Sequence, residues 1–215
     1  MTPSVLRTTR VVDTLKDGSD LCIRVALATA ERDEALLAEL IEALLEVDRG
    51  CQEAAFEVVL QTHLFSGFPK TIFALRLMQK GGLTCPPAAD HKRESAEIKR
   101  DGEALCAQIY GPSYEPLRAM MASLHPDFDT WMVTTGYGRV LSRPGLAAHI
   151  RELAVLPVLA AQGAWPQLQS HVAGARRCGA SVVEVWWALS IWAHRADDEM
   201  VETGIRHTEK ALARV

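Results

Sequence analysis

The sequence predicts an all-α protein, and two observations carry that prediction. Apolar residues recur at three- and four-residue spacing through most of the chain, whereas no stretch of any length alternates apolar with polar residues as a half-buried strand does. With 48% hydrophobic and 23% charged residues, the 215-residue chain is also large and apolar enough to bury a core. We therefore expect a helical bundle.

The first half of the chain predicts four helices. Apolar residues recur at helical spacing from residue 21 onward, and in the third helix Phe56 and Val59 share one face with His63. Gly50 is a stop signal, and residues 67–69 (Gly-Phe-Pro) interrupt the pattern again. From these signals we expect helices at 21–30, 34–47, 52–66 and 70–79.

Helix-breaking and helix-capping residues also mark the helix boundaries in the second half of the chain. Residues 136–138 (Gly-Tyr-Gly) and 142–145 interrupt the pattern before the most apolar run, and Pro166 suits the first turn of a helix. Ser181 and Glu184, three residues apart, resemble a capping box. We expect helices at 94–109, 114–124, 128–135, 146–162, from 166 to a stop at Gly179, at 182–193 and at 197–214.

A stretch of glycine, proline and mixed charge separates the two halves. Gly81-Gly82 leads into it and Pro86-Pro87 lies inside it, which is a composition typical of linkers. Residues 23–27 resemble 150–154, and this echo indicates two degenerate copies of one helical unit. We predict an N-terminal repeat at 1–82, a linker at 83–93 and a C-terminal domain at 94–215, with the two packed as one unit.

Composition excludes several classes of protein. A net charge of -4 and a pI near 6 provide no basic surface for nucleic acid or an anionic membrane. The N-terminal stretch lacks an apolar signal region and no run is long enough to cross a bilayer, so we expect a cytoplasmic protein. Five scattered cysteines without a C-x-x-C pair argue against a disulfide framework. The sequence also lacks an H-E-x-x-H motif, so we expect no metal site.

One pair of residues suggests chemistry. Glu152 follows Arg151 early in a strongly apolar helix, and His171 lies on the next helix. A carboxylate and a histidine on adjacent core helices are suited to proton transfer, although an ordinary buried polar pair has the same composition. A straight helical hairpin would leave the two groups about 9 Å apart along the axis, so spacing alone leaves both interpretations open.

Several short motifs in order resemble a known family. The second half contains Arg143-Pro-Gly-Leu146, Arg151-Glu-Leu153, Gln167-Leu-x-x-His171 and then Gly174-Ala175, and the first half contains Glu57 followed by Gly67-Phe-Pro69. In this order they resemble the carboxymuconolactone decarboxylase and alkylhydroperoxidase-D-like superfamily, across about two thirds of the chain. The resemblance implies a compact helical fold and a homo-oligomer, whether dimer, trimer or hexamer.

The peroxidase branch of this superfamily carries Glu-x11-Cys-x2-Cys-x3-His. The spacing from Glu152 to His171 is the same here, but Ala164 and Gln167 stand at the two cysteine positions. Thiol peroxidase chemistry needs an attacking thiolate and a partner thiol. The sequence therefore disfavours that antioxidant activity and points to the decarboxylase branch.

The resemblance implies a cofactor-independent lyase that acts on a small carboxylated or lactone-type molecule. His171 would shuttle a proton, Glu152 would set the tautomer and charge of the imidazole, and Arg151 would neutralise a substrate carboxylate. The secondary candidates for substrate binding are Tyr137, Gln167, Glu57 and His63.

Each candidate also has a plainer interpretation. Arg151 would pair with a protein carboxylate, Glu57 and Gln61 would form a surface pair one helical turn apart, and His63 would be a hydrogen-bonded core residue. Tyr137 would pack at a helix end. At the level of the whole protein, the alternatives are a redox protein with a reactive cysteine and a non-catalytic module that binds a ligand or partner.

Overall fold

The computed structural model describes residues 1–10, 15, 18–88 and 93–215, and every regular element in these ranges is a helix. The prediction of an all-α fold is confirmed. The α-helices in chain order are α1 (Pro3–Arg7), α2 (Ser19–Glu31), α3 (Glu34–Leu45), α4 (Arg49–Ser66), α5 (Phe68–Lys80), α6 (Ser95–Tyr110), α7 (Tyr114–Leu124), α8 (Pro126–Trp131), α9 (Ala148–Ala161), α10 (Trp165–Arg177), α11 (Val182–Ala193) and α12 (Asp198–Leu212). A 3-10 turn (Gly111–Ser113) joins α6 to α7, and a π-helix (Met132–Leu141) follows α8.

Local caps explain why most helix ends agree with the sequence to within a few residues. Helix α11 begins with the predicted capping box, in which the Glu184 amide donates to the Ser181 hydroxyl at 3.2 Å and the Ser181 amide donates to the Glu184 carboxylate at 2.5 Å. Gly179 just before it has a φ of 106°, a conformation that glycine adopts without strain. Such signals act over three or four residues and can be read from sequence alone.

The segment after α8 differs from the prediction. We expected a helix at 128–135 that ends before the glycines at 136–138, but the chain stays helical through the π-helix to Leu141. Gly138 serves close packing instead. A Cβ on Gly138 would lie 2.3 Å from the Ile98 carbonyl oxygen, and a Cβ on Gly102 would lie 2.3 Å from the Val133 carbonyl oxygen. The backbones of α6 and the π-helix touch because neither glycine has a side chain.

The chain forms two compact units. Unit 1 contains Met1–Pro86 and Gly145–Val215, and unit 2 contains Pro87–Pro144. The boundaries of these units differ from those of the predicted N-terminal repeat, linker and C-terminal domain. That the two halves are degenerate copies of one helical unit remains a prediction. Part of the predicted linker at 83–93 also lies outside the described residues.

Unit 1 is built around two central helices. Helix α2 packs against α4 and α9, while α9 also packs against α10 and α11. Every residue of α9 from Ile150 to Ala160 is buried, which explains why this helix is apolar nearly all round. Arg151 and Glu152 therefore lie in the middle of unit 1, where their charges require partners.

In unit 2 a hydrogen-bonded ion pair, called here the polar clamp, joins α7 to α8. The Arg118 guanidinium on α7 donates to both carboxylate oxygens of Asp129 on α8, at 2.5 and 2.8 Å, and to the Tyr114 hydroxyl at 2.8 Å. These hydrogen bonds hold the pKa of the Asp129 carboxyl below its ordinary value. The clamp fixes the turn between α7 and α8.

The glycine contact in unit 2 leads to a prediction about stability. Gly102→Ala should lower the free energy of unfolding by about 2 kcal/mol or more, because the added methyl group meets backbone atoms that cannot move aside cheaply. Gly136→Ala is the matched control, since the nearest atom to its added Cβ would be 4.0 Å away. Urea unfolding of both variants measures the difference, and equal stabilities would contradict this packing.

Candidate functional site

The carboxylate and the imidazole singled out from the sequence are in direct contact. Nδ1 of His171 on α10 lies 2.9 Å from Oε2 of Glu152 on α9. Glu152 is 1% exposed and His171 is 4% exposed. Because a carboxylate accepts hydrogen bonds, this contact places the ring hydrogen on Nδ1 and leaves Nε2 available as a base. Among the described residues Nε2 has no hydrogen-bond partner.

The contact is closer than a straight hairpin allows. The estimated offset of about 9 Å assumed ideal helices with a rise of about 1.5 Å per residue. Helix α9, however, contains Pro157 between Glu152 and the turn. A proline inside a helix removes a backbone hydrogen bond and displaces the helix from a straight axis. The observed contact shows that the straight-hairpin estimate of the separation was too large.

Arg151 has its own buried partners. Its guanidinium donates to the Glu57 carboxylate at 3.0 Å and to the Gln61 side-chain oxygen at 3.2 Å, while the Gln61 amide donates to the Arg151 carbonyl at 3.0 Å. Arg151 is 1% exposed. The interpretation of Glu57 and Gln61 as a surface pair is wrong, because both are buried and both bind Arg151. Arg151 instead follows its alternative interpretation, a pair with a protein carboxylate.

The remaining candidates are placed separately from this contact. His63 is half-buried, donates from Nδ1 to the Leu60 carbonyl at 2.5 Å and packs against the Phe68 ring. Gln167 is exposed on α10, one turn before His171. Tyr137 is buried in unit 2, where its hydroxyl donates to the Tyr110 hydroxyl at 3.1 Å. Their predicted roles in substrate binding stay predictions.

Two residues beside Glu152 and His171 could not be identified from the sequence. The Phe65 ring from α4 meets the His171 imidazole edge to face, with centroids 5.5 Å apart. Burial and then the charge of Glu152 raise the pKa of the Cys178 thiol to about 12. Glu152 is therefore close enough to Cys178 to raise the pKa of its thiol, and the thiol stays protonated at neutral pH. Neither residue stands at a position that the motif spacing marks.

Part of the chain is similar to a known protein family. The family model of the carboxymuconolactone decarboxylase family matches residues 126–205. This segment is similar to members of that family. The match includes both Glu152 and His171 and confirms the resemblance noted in the sequence.

A relative from yeast matches a longer part of the chain. Peroxisomal protein 2 of Schizosaccharomyces pombe is 26% identical over 172 residues, which cover 78% of this chain and 80% of that protein. The alignment therefore extends well beyond the segment that the family model matches.

The site has no metal-binding character in the described part of the chain. No three histidine, cysteine, aspartate or glutamate side chains in those residues group as ligands for an ion. Helices long and apolar enough to cross a bilayer are also absent from the ranges that the structure describes.

The Arg151 network predicts an unequal response to removing a carboxylate. Glu57→Gln should cost about 3 kcal/mol of stability, because the buried guanidinium loses its counter-charge. Glu53→Gln is the control. It removes the carboxylate of the exposed Arg49–Glu53 pair, also on α4, and should cost less than about 0.5 kcal/mol. Denaturant unfolding distinguishes the two, and similar small losses would contradict a buried network.

The raised pKa of Cys178 predicts a protected thiol. With iodoacetamide at pH 8, exposed Cys85 should be alkylated while Cys178 remains unmodified, as read by peptide mass spectrometry. Glu152→Gln should speed alkylation of Cys178, because removing the nearby negative charge lowers its pKa. Equal rates at Cys85 and Cys178 in the unmodified protein would contradict this description.

Proposed function

We propose that the chain is a carboxymuconolactone-decarboxylase-like enzyme that acts without a cofactor on a small carboxylated or lactone-type substrate. The observation that supports this most is the 2.9 Å contact between Glu152 and His171 inside the segment that matches the family. Glu152 orients the imidazole, and the buried setting strengthens the interaction between the carboxylate and an imidazolium.

The proposed reaction uses the free ring nitrogen. Nε2 of His171 takes up the proton of the substrate carboxyl group, and the Glu152 carboxylate stabilises the resulting imidazolium. As the bond to carbon dioxide breaks, its electron pair moves along the unsaturated system of the substrate. The imidazolium then returns its proton to the carbon atom at which the pair arrives. Atoms balance, because the proton replaces carbon dioxide on the product.

Arg151 has a different role in this proposal from the one inferred from sequence. Its charge is matched by Glu57, so we assign it to joining α9 to α4 beside the catalytic pair. A substrate carboxylate would instead face the positive charge of protonated His171. The secondary candidates Tyr137, Gln167 and His63 remain proposals for substrate contact.

Two other functions are alternatives for the same residues. A peroxidase of the C-x-x-C type has less support, since Ala164 and Gln167 occupy the cysteine positions and the nearby Cys178 is a protonated thiol. A non-catalytic ligand-binding or scaffold protein would also keep Glu152 and His171 paired. Turnover measurements separate that scaffold from an enzyme.

We further propose that α9–α12 repeat α2–α5 and that the chain is a homo-oligomer. The corresponding helices α2 and α9 both occupy the centre of unit 1, which supports a repeat. Large apolar side chains exposed on the surface, including Phe68 at 67% and Leu124 at 68%, support association. Cytoplasmic location stays a prediction, and the name of the yeast relative refers to peroxisomes.

The catalytic proposal predicts unequal losses from the two site residues. With carboxymuconolactone as the first probe, release of carbon dioxide should fall by about 10² to 10⁴-fold in His171→Ala. Glu152→Gln should lose about 10- to 100-fold, because the amide retains a hydrogen bond but cannot stabilise the imidazolium.

The control for this experiment is His194→Ala, an exposed histidine at the end of α11. It should retain full turnover. Unchanged turnover in His171→Ala would remove the proposal, as would an absence of carbon dioxide release from unsaturated carboxylated lactones as a class.

A further inference from the structure

Helices α3 and α5 of unit 1 carry opposite charges on neighbouring surfaces. Helix α3 contains three glutamates and no basic residue, whereas α5 contains two lysines, one arginine and no acidic residue. The two helices pack against each other, so an acidic surface lies beside a basic one. Neither the proposed catalytic pair nor the buried Arg151 network uses this surface.

A groove opens between the two helices, with a volume of about 290 Å³. Apolar side chains from both helices form its floor: Ala38, Ile41 and Leu77. Charged side chains also line it, Glu34 and Glu42 from α3 and Lys80 from α5. An apolar centre with charged residues around it is the pattern found at protein–protein interfaces.

The charged side chains of this surface are available to a partner. Glu34, Glu42, Arg76 and Lys80 are all exposed. Among the described residues none of the four has an ion-pair partner, whereas exposed Glu53 on α4 pairs within the chain. Their charges are therefore not neutralised by neighbouring side chains in the described part of the chain.

Large apolar side chains continue the surface along α5. Phe68 is 67% exposed, and Ile72 one turn later is 46% exposed. Arg76 and Lys80 follow at the same four-residue spacing, so all four side chains lie on one face of the helix. A partner that covers this face would remove apolar area from water, which favours association.

Contacts between α3 and α5 show that the two helices run in the same direction. Lys70, near the start of α5, donates to the Ala30 carbonyl just before α3 begins. A Cβ on Gly81, just after α5 ends, would lie 2.5 Å from Cγ2 of Ile41 on α3. Each of these pairs is 40 positions apart in the chain. A residue of α5 therefore lies beside the residue of α3 that precedes it by about 40 positions.

A second copy of the chain complements this charge pattern. When two copies meet face to face about a twofold axis that runs along the groove, α3 of each copy lies against α5 of the other. Glu34 then comes within about one helical turn of Arg76 in the other copy, and Glu42 within about one turn of Lys80. A twofold axis across the groove would place α3 on α3, with acid against acid. Charge complementarity therefore selects both the partner and its orientation.

We propose that the surface formed by α3 and α5 is an interface between two copies of this chain. The inference rests on the proposed homo-oligomer and names the surface that forms it, but it does not depend on the proposed chemistry. The opposite charges orient the two copies, while Phe68, Ile72 and the groove floor supply the apolar contact area.

The test uses two variants, each of which reverses charges on one helix. Glu34→Lys with Glu42→Lys adds positive charge to α3, and Arg76→Glu with Lys80→Glu adds negative charge to α5. Each variant alone brings like charges together, so the dissociation constant for self-association should rise about tenfold or more. Sedimentation velocity over a range of protein concentrations measures this constant. An equal mixture of the two variants should associate again, because every introduced lysine then faces an introduced glutamate.

The control is Glu202→Lys, which reverses an exposed charge on α12 and should leave self-association unchanged. A measurement that needs no variant supplements it. In the unmodified protein, sodium chloride at about 1 M should weaken association, because salt screens the charges at the edge of the interface.

The outcomes separate this interface from the homo-oligomer itself. Unmodified protein that sediments as a monomer would overturn both proposals. Association that persists in both charge-reversal variants, that is insensitive to salt, or that fails to return in the mixture of two folded variants would overturn the interface alone. Far-UV circular dichroism establishes that each variant is folded.

Discussion

The structure of unit 1 depends on two opposite charges buried next to each other in its most enclosed helix. Arg151 and Glu152 are both 1% exposed, and each would be strongly destabilising without a partner. Successive residues of an α-helix point about 100° apart, so the two side chains reach different neighbouring helices. Arg151 meets Glu57 on α4 and Glu152 meets His171 on α10. One dipeptide thus fixes α4 and α10 against α9.

The same arrangement accounts for the character of the candidate site. The arginine is paired with a protein carboxylate, while the glutamate accepts a hydrogen bond from the imidazole. This hydrogen bond orients the His171 ring, whose second nitrogen has no partner among the described residues. The edge contact with Phe65 adds an apolar wall beside the ring. An imidazole oriented by a buried carboxylate is a physical basis for proton transfer.

Much of the fold could be predicted from the sequence because local signals specify it. Capping at Ser181, the stop at Gly179 and the all-round apolar character of α9 each appear as a pattern over a few residues. Close packing of α6 on the π-helix could not be predicted, since Gly102 and Gly138 are 36 positions apart and nothing in the sequence pairs one with the other.

The contact between Glu152 and His171 was predictable in its members but not in its geometry. Motif spacing identified Glu152 and His171, whereas their contact depends on how α9 and α10 cross. Glu57 and Gln61 were assigned to the surface because two polar residues one turn apart resemble an exposed pair. A better signal was available at Arg151, because an arginine in a helix that is otherwise buried must find a carboxylate on another helix.

The tautomer of His171 tests this account most directly. Nitrogen-15 NMR of the histidine rings at pH 8 reports which nitrogen carries the hydrogen. We predict hydrogen on Nδ1 and an unprotonated Nε2 in the unmodified protein, with that preference lost in Glu152→Ala, which leaves no acceptor for the Nδ1 hydrogen. Hydrogen on Nε2, or a ring indistinguishable from exposed His194, would contradict the buried carboxylate–imidazole pair on which the structure and the proposed chemistry depend.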